Sequence, residues 1–513
     1  MIKLRIHPRD IAGPWTWTGR QWQAGTSWIE PYTHPAVEVL GPDDTSPAMI
    51  IRERCPTLTG QPHHVGWPGD FIAIQPSNGT MWIEAGVRGV APLYLIVTDT
   101  VLYGSWDVAD LAPSLRHAAL NEHEVVRQLS TTFRYTHDTL WQGLHWLTER
   151  SQAVFGAHGL GMRYPLPAAH GRPRELTAGA DPVAAYEQLL DLALSRRVYD
   201  PATTAVELSG GLDSANIAAS LGAAHPGQIT AAAMIIVGAA GVQQQDRRRQ
   251  MIDLFRLGPD VTTKMIDNLP LRPDGRRASR ALITPYDELY DEGKTTLLGL
   301  LHSRGVRTVA TGIGGDEMVA LTAAELSRAP LGIDPLDLPW TGPHSRDLRG
   351  GFDTGTAPAS IVNEVTLLAT ACVAPPILRA GMWPIHPLAD PALIRFGEWL
   401  PYSWRYLKRL HVARLERVGC GPYLVDPPLR ENFEPVMDEA LHRHGAAFLR
   451  AMLDRGSPLI DDGYLNPDEL AAAATRIADG TPAPGDNSVC NVIALEAALS
   501  SFGHAESPTP VPA

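Results

Sequence analysis

Apolar positions fall along this 513-residue chain in two rhythms. Up to about residue 167 they come in short runs, at 48–51, 71–74, 81–84, 93–97 and 101–103. Turn formers separate the runs: Asp43-Asp44, Gly79 and Asp99-Thr100. Short apolar runs broken by such residues predict a β-rich domain. A different rhythm starts after residues 168–180, which read as a linker. Asp181-Pro182 has the chemistry of a helix start, with Asp as the cap and Pro in the first turn. Val183, Tyr186, Leu190 and Leu194 follow at helical spacing and read as core packing. The pattern then predicts a strand at 205–208, a helix at about 214–221 and a near-continuously apolar strand at 229–237. A polar, basic helix is expected at 244–257, a short strand at 261–266 and a buried strand at 306–311. Strands alternating with helices predict a doubly wound α/β domain, with its site at the carboxyl ends of the strands. Beyond Met318 the reading is mostly helical, with an apolar helix at 360–371 and two or three helices at 435–475. Residues 322–345 read as an irregular insertion, and residues 507–513 as a disordered tail. The expected division is therefore 1–167, linker 168–180, 181–506 and tail 507–513.

Two loops carry candidate chemistry. The first is Ser209-Gly210-Gly211-Leu212-Asp213-Ser214, between an apolar strand and a helix. Glycines at such a turn let backbone approach a ligand closely. The amide groups of the helix start then face outward with the positive end of the helix dipole. That arrangement suits a pyrophosphate, and Asp213 adds a carboxylate for a phosphate-bound Mg²⁺. The loop is no Walker sequence, because no Gly-Lys-Ser/Thr follows the glycines, and no dinucleotide fingerprint, which needs a third glycine. The second loop, Gly312-Ile313-Gly314-Gly315-Asp316-Glu317, closes the strand at 306–311. Carboxylates on two such loops can hold one Mg²⁺ between them, and Asp213 and Asp316 are assigned that role.

Bulk properties exclude other classes. Length implies two or three domains. A 44% apolar and 19% charged composition is globular. The net charge of −13, with no long basic run, argues against nucleic acid as the main partner. No apolar run reaches the length of a membrane span, and the start is not that of a signal peptide. Cys55, Cys372, Cys420 and Cys490 show no metal-type spacing and read as reduced thiols of a cytoplasmic protein. His63-His64 reads as loop surface.

The first loop resembles the pyrophosphate loop of the ATP pyrophosphatase superfamily, whose members split ATP between the α and β phosphates to form an acyl-adenylate. The second, about a hundred residues on, resembles the Gly-x-Gly-Gly/Ser-Asp-Glu signature of the asparagine synthetase family. The resemblance implies ATP and Mg²⁺ as cofactors. It implies a nucleotide site that includes Leu208, Ser209, Gly210, Gly211, Asp213, Ser214, Ile236 or Val237, Thr311, Gly312 and Gly314. The segment 385–401, opening Ile385-His386-Pro387-Leu388-Ala389-Asp390, is similar to the family's Pro-Phe-Leu-Asp segment. The family also carries a lysine in an Arg-x-Lys context near the active site. Leu429-Arg430-Glu431-Asn432-Phe433 has none there, so Lys408 and Arg430 are the candidate catalytic substitutes.

The N-terminal region is similar in places to class II glutaminase domains, of Ntn type. Gly104-Ser105-Trp106-Asp107, Gly143-Leu144-His145-Trp146-Leu147 and Arg163-Tyr164 carry that likeness. Such glutaminases use an N-terminal cysteine, and Ile2 stands at that position, so this domain is expected not to hydrolyse glutamine. Relatives lacking the cysteine are amine-to-carboxylate ligases. In the β-lactam branch a tyrosine of the second loop helps take the amine's proton; Ile313 cannot do so. The lasso peptide cyclases of the same family fit better. They adenylate an Asp or Glu side chain of a core peptide and join it to the peptide's N-terminal amine as a macrolactam. The expected partners are then a precursor peptide, a leader-binding protein and a leader peptidase. A small-molecule β-lactam-type synthetase and an ammonia-dependent asparagine synthetase are the alternatives, and a nucleotide-binding subunit without activity is a third.

Overall fold

A computed structural model describes residues 1–42, 47–58, 66–130, 133–277, 281–322, 325–326, 338–348 and 355–503. The turn at Asp43-Asp44, the pair His63-His64, most of the expected insertion and the expected tail lie outside the described residues. No helix among the described residues is long and apolar enough to cross a membrane.

The short apolar runs of the first 163 residues form two antiparallel sheets of seven and six strands. In the larger, Ile2–Ile6 is central, paired with Ser27–Pro31 on one side and Val101–Ser105 on the other. In the smaller, Phe71–Ser77 lies between Met49–Glu53 and Thr80–Ala85. Alternate residues of both sheets, among them Leu4, Ile29, Ile51, Ile74 and Ile83, enter one apolar cluster. One face of each sheet is thereby taken out of water, which is what period-two patterning encodes.

The second rhythm gives a five-stranded parallel sheet. Its strands are β1 (Thr204–Glu207), β2 (Thr230–Ile235), β3 (Asp260–Lys264), β4 (Thr308–Ala310) and β5 (Trp383–Ile385). Their spatial order is β3-β2-β1-β4-β5, and every pair is parallel. The order reverses between β1 and β4, which makes that crevice the topological switch point of the sheet. Helices α1 (Pro182–Ser195), α2 (Leu212–Ala224), α3 (Gly238–Phe255) and α4 (Asp291–Ser303) connect or flank these strands. Asp181 caps α1 by accepting from the amide of Ala184, as its position predicts.

Three expectations shift. The basic helix begins at Gly238 rather than Gln244, because its first turns are small residues that fit tightly against the end of β2. A Cβ on Gly241 would lie 2.0 Å from the Ile236 carbonyl. The helix expected at 360–371 is α5 (Glu364–Arg379), capped by Asn363 and continuing through Pro375 and Pro376. Each proline removes one amide donor, but packing holds the segment helical: Thr370, Ala371, Ala374, Ile377 and Leu378 are buried. The strand expected to run to Ile266 ends at Lys264 and passes into a 3₁₀ turn, Met265–Asp267.

Candidate active site

The two glycine loops leave β1 and β4 side by side at the switch point. Gly210 and Gly314 have φ of 97° and 94°, a left-handed backbone that glycine adopts without penalty. The loops touch so closely that side chains are excluded at the contact. A Cβ on Gly312 would lie 2.7 Å from the Ser214 amide nitrogen, and one on Gly315 2.4 Å from Asp213 Cγ.

Within the first loop the two serines shape the turn. Ser214 Oγ accepts from the Ser209 amide at 3.2 Å and donates to the Gly211 carbonyl at 3.1 Å. The Gly211 amide donates to Ser209 Oγ. Helix α3 then holds the loop from outside. Gln244 Nε2 donates to the Ser209 carbonyl at 2.8 Å, Arg247 Nη2 to the Gly210 carbonyl at 2.8 Å and Arg248 Nε to the Leu208 carbonyl at 2.6 Å. These three buried side chains were not singled out from the sequence. The available signal was a helix too polar for its place between apolar strands.

The candidate metal carboxylates meet through Lys408. Its Nζ lies 2.7 Å from Asp213 Oδ2 and 2.6 Å from Asp316 Oδ1. Burial alone would lower the Lys408 pKa, but the two carboxylates, Asp213 foremost, outweigh it and hold the amine above its ordinary range. Leu407 and Lys408 both have left-handed backbones, with φ of 49° and 54°. Such a pair costs of order 1–2 kcal/mol per residue, so surrounding contacts impose it. Buried His411 places Nε2 3.2 Å from the Gly315 carbonyl, and its Nδ1 lies 3.1 Å from the Tyr186 hydroxyl.

Asp213 Oδ1 is buried and has no hydrogen-bond partner among the described residues, with His411 Nε2 3.9 Å away. A free oxygen on one of two carboxylates that already share a cation fits a site built for positive charge. Among the described residues no group of three His, Cys, Asp or Glu side chains is arranged to hold a metal ion. A Mg²⁺ held by Asp213 and Asp316 would complete its shell with phosphate oxygens and water, the usual mode for that ion, and would neutralise phosphate charge.

The other predicted residues divide. Leu208 and Ile236 turn into the core, Leu208 into the main cluster and Ile236 against Met265, Leu269 and Val436. Their strand neighbours Glu207, Ser209 and Met234 line a cavity of about 260 Å³ beside the loops, with Ile313 and Phe433. Alternation along a strand accounts for Glu207 and Ser209, one residue to either side of Leu208, but not for Met234, which is two residues before Ile236. Thr311 is buried, with Oγ1 2.7 Å from His386 Nδ1. Arg430 is exposed, whereas its neighbour Glu431 turns inward onto Arg247 and Gln243. Of the two candidate basic residues, the structure brings Lys408 to the carboxylates and leaves Arg430 at the surface.

The two glycine loops thus lie side by side at the switch point and share one cation. Residues 185–321 match the asparagine synthase family model. No curated protein matches the chain. The asparagine synthase segment runs from α1 through the second loop, and so contains both carboxylates and α3. The chemistry of an asparagine synthase domain is ATP-dependent amide ligation, usually with Mg²⁺. Lys408, 87 residues beyond the end of that segment, comes to the site from outside it.

Proposed function

We propose that this chain is an AMP-forming carboxylate–amine ligase acting as a lasso peptide cyclase. It adenylates an Asp or Glu side chain of a leader-cleaved peptide and joins it to the peptide's N-terminal amine, releasing AMP and pyrophosphate. The observation that carries the ligase chemistry is the bridge of Asp213, Lys408 and Asp316 across the switch point. The cyclase assignment draws on the sequence likeness described above and on Ile313, which lines the cavity as an apolar residue. A macrolactam from an α-amine, with an ordinary pKa near ~8, needs less help from a base than one from a more basic amine. Under this reading a leader-binding protein and a leader peptidase act with the chain.

One observation favours the small-molecule alternative. The cavity beside the loops, about 260 Å³, suits a compact amino-carboxylate better than a folded peptide. Incubation with ATP, Mg²⁺ and a linear peptide with a free N-terminus and an internal Asp or Glu separates the readings. The cyclase gives pyrophosphate together with loss of one water from the peptide mass, and Asp213→Ala gives neither. Pyrophosphate with small amino-carboxylates, but never with peptides, moves the assignment to the alternative.

A further inference from the structure

The segment 287–292 carries four carboxylates, and three of them have arginine partners. Asp287 accepts from Arg379 Nη2 at 3.0 Å, Asp291 pairs with Arg276, and Glu292 pairs with Arg277 at 2.7 Å. Glu288 has no ion pair among the described residues; its side chain is hydrogen-bonded to Tyr290. The nearby Lys294 is committed to Glu207.

Glu288 also occupies a particular place. A second cavity, of about 550 Å³, lies between α5, the helix Val489–Gly503 and the antiparallel sheets. Glu288, Ala369 and Cys372 line both this cavity and the one beside the glycine loops. Glu288 therefore lies, with Ala369 and Cys372, between the two spaces. Tyr94, Trp146, Tyr286, Leu368 and Leu495 give the larger space aromatic and apolar walls, and Glu124, Asp138, Asp287 and Arg134 line it as well. Tyr94 and Tyr286 stack with centroids 5.7 Å apart. Such walls bury an apolar chain and tolerate an ammonium against ring faces. Burial, the main influence on Glu288, raises its pKa and so brings a carboxylate closer to an amine in proton affinity.

We infer that the larger cavity receives the amine substrate, a primary amine on an apolar or aromatic chain, and that Glu288 anchors its nitrogen and accepts its proton. This rests on the ligase reading above. The amine, bound as its ammonium, gives one proton to solvent, and the neutral nitrogen then attacks the acyl carbon of the acyl-adenylate and forms the C–N bond. The bond from that carbon to the AMP oxygen breaks, and AMP leaves with the electron pair. The proton lost by nitrogen passes to the Glu288 carboxylate.

The full chain is titrated with phenethylamine hydrochloride, with 2-phenylethanol as uncharged comparator and Mg²⁺ with α,β-methylene-ATP as nucleotide probe. Wild type is expected to bind all three. Glu288→Gln should weaken the ammonium about tenfold or more, leaving the alcohol and the nucleotide unchanged. Asn491→Trp, which puts a large side chain into the lining of the cavity, should remove both phenethyl compounds and spare the nucleotide. Equal ammonium affinity in wild type and Glu288→Gln, or no ammonium binding to wild type, overturns the proposal. For the proton transfer, Glu288→Gln should lower amide formation from the linear peptide about a hundredfold while pyrophosphate release persists. A loss below about tenfold overturns that step. A wild type that binds the amine but no nucleotide overturns the ligase reading and the proton transfer with it, and leaves the amine site standing.

Discussion

Lys408 does at the residue scale what no single motif residue does: it lets two like charges face each other across a gap one cation wide. Replacing it with a neutral side chain leaves Asp213 and Asp316 repelling. Lys408→Met is therefore expected to melt at a lower temperature than wild type, with excess MgCl₂ restoring most of the difference. Differential scanning calorimetry with and without the salt checks this; an identical deficit in both would show that Lys408 matters for packing alone. Asp213, Asp316 and the glycines were legible in the sequence because each stood in a strand–turn–helix context. Lys408 was reached only as one of two candidates. Its neighbours Arg405 and Arg409 look alike in sequence, and only the fold shows that Arg405 turns to Glu325 and Arg409 to Glu416. Glu288 gave no signal at all, since an acidic run such as Asp287-Glu288 resembles any solvated surface.

At the scale of elements, the two loops work because they lie against each other without side chains. Gly315→Ala would push a methyl group into Asp213 and displace the carboxylate. Overpacking of this kind costs about 1–3 kcal/mol. The variant is expected to remain folded, with a modest fall in melting temperature, and to lose pyrophosphate release almost completely. Gly299→Ala, at an exposed helix position where a Cβ meets nothing within 4 Å, is the matched control: it should keep pyrophosphate release and melt no lower than wild type, since alanine favours the helix. The strands themselves were readable to within a few residues, because near-continuous apolar runs between turn formers leave few other arrangements. Element ends were less so. Pro375-Pro376 marks a stop in isolation, yet α5 passes through it, since tertiary packing outweighs the two lost donors.

The whole molecule is tied together by buried charge where the antiparallel sheets meet the parallel one. Arg88 Nη1 donates to Asp390 Oδ2 at 2.8 Å, and Arg197 lies 3.7 Å from Asp390 and 3.8 Å from Glu53. Burial would raise the Asp390 pKa, but the two arginines outweigh it and hold the carboxyl below its usual range. Asp390→Ala leaves two buried cations short of a counter-charge, and about 3–5 kcal/mol of stability should be lost in urea unfolding. The same region sets an acid limit. Burial first, then Arg88 and other cations, push His386 down to about 3 from 6.5. Between those values the unfolded chain takes up a proton that the folded one refuses. Stability should therefore fall as pH drops through that window and be level above it. Urea midpoints at pH 7.5 and 5 test this, and His386→Gln should narrow the difference. The segment holding His386 and Asp390 stood out in the sequence, but its pairing with Arg88 and Arg197 did not, because the partners are scattered over more than 300 positions.

The strand order also has a consequence for how the chain is made. Asp213 and Lys408 are partners 195 residues apart. At ribosomal speeds of about 5–20 residues per second, the first loop waits on the order of 10–40 s for its cation. During that time the glycine turn stands next to an unanswered carboxylate. Nascent chains halted before residue 308 lack β4 and the second loop altogether. They should be open to protease around residues 209–214, and protection there should appear only once Lys408 has left the exit tunnel.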